Sequence, residues 1–383
     1  MSGFDTGVIT AAAVIAGVYL AATLFLARGL LRKSKPAGKP VGFFSVVIAA
    51  RNEEHNIAAC LASIFSQDLP ENRFEVIVVN DRSTDATDAI MRDLMTRHEN
   101  LRLLTITETP VGMSPKKHAV SCGVEIARGE IVVFTDADCR VPVSWLSSIE
   151  KEFESGTGMV QGITLYEKDH SVDSVLWHVQ AVDFLSHGIV SAAGIGAGLP
   201  INSNANNFAF RKEAFLAVGG FGSASGVISG DDDLLMQRIW RSGNYCVRYM
   251  LHAGGAVTTA PSQTLAAVLE QRKRWASKTV HYQPLQAAYL GCIFLFYMMI
   301  PCLLIGGLFS RTLLLAGLAA YAIKPVGEFF LMIPGTRLFG AKALRPWILP
   351  ASLIHLWMVL YAVFFGVFGK FEWKGERFGR VAK

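Results

Sequence analysis

Asp136 and Asp138 stand one residue apart at the C-terminal end of the apolar run Ile131, Val132, Val133, Phe134. Side chains alternate along a strand, so carboxylates at i and i+2 share one face. Two hard oxygen ligands beside a loop suit a divalent cation that also holds a diphosphate. Other clusters could do chemistry in company with this pair: Asp81, Lys116, the triple Asp231–Asp232–Asp233, and the basic stretch 271–275. Taken singly, each has a simpler reading. Asp81 would cap a turn or helix. Asp231–Asp233 would be a solvated first turn favoured by the helix dipole. Lys116 and Lys117 would sit on a solvated face. Residues 271–275 would form an amphipathic helix with a snorkelling arginine and an interfacial tryptophan.

The elements that must position these residues follow from the apolar pattern. Runs 43–50 and 74–79 are compact and apolar, as buried parallel strands are. Residues 101–106 and 131–134 continue the series, and 116–127 reads as a helix. Strand–helix alternation with polar residues at each strand's C-terminal end predicts a doubly wound, mostly parallel α/β sheet. Ligands of such sheets bind beyond the strand C-termini. Residues 51–54, 81–83 and 136–138 are therefore expected to converge on one crevice. No G-x-G-x-x-G follows the first strand and no Walker A motif is present, which disfavours a dinucleotide or P-loop site.

The motifs in order are VVIAARNEEHNI, VVNDRSTDAT, SPKKHAV, FTDADC, NANNFAFRKEAFLAVGGF, GDDDLLMQRIWRSG and QRKRW. Together, over residues 43–280, they resemble an inverting family 2 glycosyltransferase of the GT-A fold. That resemblance implies transfer of a sugar from a nucleotide-sugar, with UDP the expected nucleotide, to an acceptor. It places Ala49, Asn52 and Glu53 beside the nucleoside, Asp81 on the base and Lys116 near the nucleotide. Pro115 stands where the family often has glycine, so the backbone contact of that loop departs from the pattern. Asp136 and Asp138 become the D-x-D pair holding Mg²⁺ or Mn²⁺ on the diphosphate. Asn207 falls at the acceptor-side asparagine. Asp232 aligns with the general base, and Asp231 replaces the usual glutamate; three adjacent aspartates leave this choice open by one residue. Gln271, Arg274 and Trp275 match Q-x-x-R-W, with Arg274 on the diphosphate and Trp275 facing a sugar or acceptor. Trp373–Arg377 resembles a basic W-K-G-x-R ending of lipid-modifying members.

The chain of 383 residues is 51% hydrophobic and only 17% charged, so part of it belongs in lipid. Residues 8–27 are long enough to span a bilayer as one helix, as are 285–308, 312–333 and 347–368. The first run has no basic segment before it. Arg28, Arg32, Lys33, Lys35 and Lys39 follow it, which predicts an uncleaved anchor with the next segment in the cytoplasm. The expected organisation is an anchor over 1–39, a GT-A domain over 40–280 and a membrane domain of two to three spans over 281–383. The expected site is the inner membrane of a bacterium. The net charge of +5 points to anionic lipid rather than nucleic acid. The six cysteines lack metal spacing and read as free thiols.

Two features of the C-terminal region stand out. Lys324 and Glu328 form an i, i+4 pair inside an apolar segment, where ionisable groups mark function by default. The basic loop 337–345 and the tail bearing Lys370, Lys374, Arg377, Arg380 and Lys383 both prefer the cytoplasm, yet a full span 347–368 would separate them. Either that segment is a re-entrant or interfacial hairpin broken near Pro350, or the tail violates the charge bias. A site pressed against lipid predicts a lipid or lipid-linked acceptor. A processive polysaccharide synthase is the competing enzyme, and a non-catalytic membrane glycan-binding or export subunit the competing non-enzyme.

Overall fold

A computed structural model describes residues 3–32, 42–369, 371–373 and 376–378. Lys33, Lys35, Lys39, Lys370, Arg380 and Lys383 lie outside the described residues, as do Lys374 and Gly375 of the W-K-G-x-R ending. The chain opens with the long apolar helix α1 (Gly3–Ala27), followed by a short turn to Leu31. The first half of the sheet then alternates as expected: β1 (Phe44–Ala50), α2 (Ile57–Phe65), β2 (Phe74–Asp81), α3 (Thr87–Met95), β3 (Leu101–Ile106), α4 (Pro115–Ile126) and β4 (Ile131–Phe134). The second half is less regular. It runs β5 (Cys139–Arg140), α5 (Trp145–Glu152), β6 (Thr157–Gln161), β7 (Thr164–Tyr166) and α6 (Ser174–Gly196). Next come β8 (Phe208–Arg211), α7 (Lys212–Ala217), α8 (Asp233–Arg241), β9 (Cys246–Tyr249) and β10 (Val257–Thr259).

Seven strands form one sheet in the order β3-β2-β1-β4-β8-β6-β9. All pairings are parallel except those of β8, which runs against β4 and β6. The small sheet β5-β10-β7 lies beside it. Alternate residues of β1 feed the cores on the two faces: Val47 packs with the α4 and α6 side, and Val46 and Ile48 with the α2 and α5 side. Pairing of Ala49 with Val79 and of Ala50 with Asn80 makes the loops after β1 and β2 leave the sheet side by side. One expectation is corrected. β4 stops at Phe134, so Asp136 and Asp138 lie in the turn before β5, aimed by that turn rather than by a strand pleat. Ala137 between them is buried in the core and fixes the turn.

After the sheet come α9 (Leu265–Ser277), α10 (Pro284–Gly306), α11 (Arg311–Leu338), α12 (Ile348–Phe368) and a hairpin of β11 (Phe371–Trp373) and β12 (Glu376–Phe378). Among the described residues, four helices are long and apolar enough to cross a membrane: α1, α10, α11 and the segment ending in α12. α1, α10 and α11 pack on one another, with Tyr19 stacked on Phe296 at 4.1 Å and its hydroxyl donating to the carbonyl of Lys324 at 2.9 Å. The bundle joins the sheet domain through a close backbone approach. A Cβ on Gly29 would fall 1.9 Å from the carbonyl oxygen of Ala193 in α6, so only glycine fits.

α12 is different. It is not broken near Pro350, which sits in its first turn, where no helical N–H is lost. Its buried face carries Ile348, Ala351, Ser352, Met358, Ala362 and Gly366. That face lies on α6 and α9, where Met358 clusters with Val179 and Val268 and a Cβ on Gly366 would meet the Lys273 carbonyl at 2.4 Å, and on the bundle, where Leu356 clusters with Tyr19 and Phe296 and Lys324 of α11 donates to the Ser352 carbonyl. Just before the helix, Trp347 stacks on His178 at 4.3 Å. Beyond its other end, β11 lies against α9. Both ends of α12 are thus held by the same domain, while Trp357, Phe364 and Phe368 on the opposite face are exposed.

Candidate active site

The loops after β1 and β2 are stitched together. Asn52 and Arg82 both adopt left-handed backbone, with φ of 57° and 55°. The Asn52 side-chain oxygen accepts from the Thr84 amide at 2.8 Å, and its own amide donates to Ser83 Oγ at 3.1 Å. Asn52 therefore shapes the turn with an exposed side chain, while Ala49, Glu53 and Asp81 line the cavity. Asp81 is buried and paired with Arg82 at 2.7 Å.

Lys116, in the first turn of α4, ties the metal-type loop to the aspartate triple. Its Nζ lies 2.7 Å from Asp136 and 3.1 Å from Asp231. Against the cost of burial, those two carboxylates hold its pKa above the usual lysine value. Lys117 is not on a solvated face. It is wholly buried, and its ammonium donates to the carbonyls of Ala224 and Val227 at 2.7 Å each and of Ser229 at 3.2 Å. It staples the loop that leads into the aspartates. Burial lowers its pKa to about 8.

The three aspartates occupy three environments. Asp233 is fully buried, 2.5 Å from Lys278 Nζ and accepting from the Tyr282 hydroxyl at 2.6 Å. Asp231 is held below the usual carboxylate range; Lys116 and Lys117 outweigh its burial. Asp232 differs: burial, then the adjacent Asp233 charge, raise it to about 6. A carboxylate with that proton affinity is suited to accept a proton near neutral pH.

Asp136 and Asp138 both face the cavity. Burial and the charge of Asp136 push the Asp138 pKa up. Two close carboxylates, one of them destabilised as an anion, fit a divalent cation, which would relieve that repulsion. Beneath them Cys60 is buried, its thiol donating to the Asp136 carbonyl at 3.6 Å; all six cysteines are free.

α9 closes the site. The Thr264 side chain caps it by accepting from the Ala267 amide at 3.2 Å. Arg272 is buried and donates from Nε to Asp183 of α6 at 2.6 Å, and its guanidinium stacks 4.1 Å from the Trp275 ring. This pair orients the helix so that Gln271, Arg274 and Trp275 all line the cavity. Gln271 accepts from the Tyr166 hydroxyl at 3.2 Å. Burial lowers the Arg274 pKa, opposed by the charges of Asp231, Asp136 and Asp232 that surround it.

Asn207 is the one acceptor-side residue that the structure keeps out of the cavity. It is wholly buried; its oxygen accepts from Trp145 Nε1 at 3.0 Å and its amide donates to the carbonyls of Ile163 and Gly255 at 2.7 and 2.8 Å. It anchors the loop before it instead. That loop brings Asn202, Ser203 and Asn204 to the cavity, where Asn202 Oδ1, Ser203 Oγ and Asn204 Nδ2 have no partner among the described residues. Buried polar atoms without partners are rare. The polar stretch NSNANN was the sequence signal available for them.

The nucleotide-side loops, Lys116, the aspartates, the 202–204 loop and the α9 face line one cavity of about 770 Å³. It runs from the β1 and β2 loops, past the aspartates and Trp275, to Tyr289 of α10, Glu328 of α11 and His355 of α12.

Comparisons with known proteins agree with this architecture. The chain is 26% identical over 239 residues to a beta-monoglucosyldiacylglycerol synthase of Nostoc sp., covering 61% of this chain and 48% of that protein. It is 35% identical over 117 residues to the glycosyltransferase AglE of Haloferax volcanii, covering 30% of this chain and 37% of that one. The chain thus matches less than half the length of these curated relatives. In three dimensions it resembles the mannosyltransferase PcManGT from Pyrobaculum calidifontis, solved with GDP-Man and Mn²⁺, at a TM-score of 0.59 and 21% identity, covering 94% of this chain and 98% of that one. That likeness shows the GT-A fold expected from the motifs. The model of glycosyl transferase family 21 matches residues 8–381, nearly the whole chain, and the chain belongs to that family of glycosyltransferases.

Proposed function

We propose that the protein transfers one sugar from a nucleotide-sugar, with UDP the expected nucleotide, to a hydroxyl of a membrane lipid or lipid-linked acceptor, with inversion at the anomeric carbon. The observation that carries this reading is the single cavity joining the nucleotide-side loops to α10, α11 and α12. A soluble acceptor needs no such path. The beta-monoglucosyldiacylglycerol synthase relative is named for a glycolipid product, and the PcManGT structure holds a nucleotide-sugar with a divalent cation.

In this reading the nucleoside lies against Ala49, Glu53 and Asp81, with Asn52 shaping their loop. Asp136 and Asp138 would hold Mg²⁺ or Mn²⁺, which neutralises charge on the diphosphate leaving group. Arg274 donates to the same phosphates, a fork suited to them. Lys116, poised between Asp136 and Asp231, adds a further positive charge there. Asp232 accepts the proton of the acceptor hydroxyl as its oxygen attacks the anomeric carbon and the diphosphate departs from the opposite face. Asp231 and Asp233 keep their own cations and set the field around Asp232. Asn202, Ser203 and Asn204 supply hydrogen bonds for sugar hydroxyls.

The membrane arrangement belongs to the same proposal. α1, α10 and α11 cross the bilayer, and α12 lies along its surface under α9, apolar face outward. The basic loop after α11 and the tail then fall on one side with the catalytic domain. This removes the conflict in the charge bias and places that side in the cytoplasm.

The competing synthase would extend a polymer. Product analysis separates the two: a labelled donor with membranes should give a lipid carrying one added sugar. A long water-soluble polymer would move the assignment to the synthase.

A further inference from the structure

Helix α8, with Asp232 at its N-cap, is fastened at both ends to one short segment of chain. Residues 278–283 join α9, which carries Arg274, to the membrane-length helix α10. At the N-terminal end of α8, Lys278 Nζ lies 2.5 Å from Asp233, and the Tyr282 hydroxyl donates to the same carboxylate oxygen at 2.6 Å. The other oxygen of Asp233, Oδ1, has no partner among the described residues. At the C-terminal end Arg241 donates to the side chain of Gln283, the N-cap of α10. Two further contacts tie the segment to the site. A Cβ on Gly230, which makes the left-handed turn into the aspartates, would lie 3.6 Å from the stem of Lys278. Gln286, in the first turn of α10, donates to the Ile201 carbonyl beside Asn202.

We propose that Lys278 and Tyr282 are positioning residues for the base, holding Asp232 through its neighbour Asp233 and linking it to the chain that runs from the diphosphate helix α9 into α10. The inference rests on the assignment of Asp232 as the base above. A fully buried carboxylate is stable only with its counter-charge and hydrogen bonds, and removing one partner leaves the other buried and uncompensated. Asp233 is therefore pinned where Lys278 and Tyr282 meet it. One rigid peptide plane joins Asp232 to Asp233, so the base is pinned with it. A catalytic group loses rate steeply when displaced by even about 1 Å.

The same arrangement sets the charge around the base. Burial, Asp233 and Asp231 raise the proton affinity of Asp232, and Lys278 lowers it. Lys117 of α4, Arg274 of α9 and Tyr282 face it as well. Lys278 is the cation seated on Asp233, so its loss leaves the Asp233 charge beside the base uncompensated. That charge persists without the lysine, because Asp233 opens α8, where the helix dipole favours an anion, and Tyr282 still donates to it.

The test uses the full-length protein in nanodiscs, with a panel of UDP-sugars, Mn²⁺ and host lipid extract, and reads nucleotide release against pH. Lys278→Met should lower kcat at least tenfold, leave affinity for UDP with Mn²⁺ unchanged, and move the acid limb of the rate profile above about pH 6. Lys278→Arg, which keeps the cation, should recover most of the rate. Tyr282→Phe should show a smaller loss with the limb in place. In an Asp233→Asn background, where the charge that the ammonium holds is gone, Lys278→Met should lower kcat by less than about threefold further. Equal losses in both backgrounds would mean that Lys278 acts without Asp233 and would overturn the inference, as would wild-type kcat and an unmoved limb in Lys278→Met. Asp232→Asn, run alongside, separates the two readings. If it releases nucleotide like wild type, the base assignment falls and this inference with it. If it is inactive while the Lys278 and Tyr282 variants behave as wild type, this inference alone falls.

Discussion

Asp136 and Asp231 share one ammonium: Lys116 Nζ lies 2.7 Å from the first and 3.1 Å from the second. The loop carrying Asp136 and the loop carrying Asp231 are 95 residues apart in sequence, and this lysine couples them. Lys116→Ala leaves both carboxylates without that charge. It should reduce turnover about 100-fold, with donor affinity also weakened, as steady-state kinetics and nucleotide titration would show. Wild-type kinetics in this variant would separate the two loops functionally.

Asp232 carries the second prediction. Its pKa is raised to about 6 by burial and the Asp233 charge, and only the carboxylate can take the acceptor proton. The rate should therefore fall as pH drops through about 6 and approach a plateau above it. Asp232→Asn should lower transfer about 1,000-fold while still binding donor. The stability effect has the opposite sign to that of a salt-bridged carboxylate. A raised carboxyl binds its proton more tightly when folded, so its contribution improves as pH falls toward and through 6. Removing the charge should then raise Tm at neutral pH. A variant that turns over like wild type would contradict the base assignment.

Metal dependence is the third. Asp138 is pushed up by burial and by Asp136, a strain that a bound cation relieves. Chelation should abolish donor use, with Mg²⁺ or Mn²⁺ restoring it, and Asp138→Ala should behave as permanently chelated enzyme. Full activity in excess chelator would remove the metal role of both aspartates.

Helix α12 gives a fourth prediction, about topology. Trp347 stacks on His178 at one end, and Gly366 meets Lys273 near the other. A tag after residue 383 should lie on the same side of the membrane as the catalytic domain. In sealed vesicles of inside-out orientation, protease should remove the tag and digest the domain together. A protected tag would mean that α12 crosses.

Much of this was legible from sequence, for identifiable reasons. FFSVVIAA and FEVIVV announce buried parallel strands because both faces are covered. The rule that ligands sit beyond strand C-termini then brings residues 51–54, 81–83 and 136–138 together, as observed. Other features depend on distant partners. Lys117 looks like a surface charge because the carbonyls it holds begin 107 residues later. Asn207 matches an acceptor-side motif, yet its amide is fully engaged in the core. Asp183 gives no motif, and its role appears when Arg272 of α9 docks on it. Hydropathy does not separate a surface helix, with one face on protein and the other on lipid, from a span, since the two are equally apolar.

The most direct measurement is nucleotide release by the purified protein in nanodiscs, across a panel of UDP- and GDP-sugars with Mg²⁺ or Mn²⁺, with and without host lipid extract. The account predicts release that depends on lipid, from a UDP-sugar, with one labelled sugar recovered on an organic-soluble product. Equal release without lipid, or label recovered solely in water-soluble material, would contradict it.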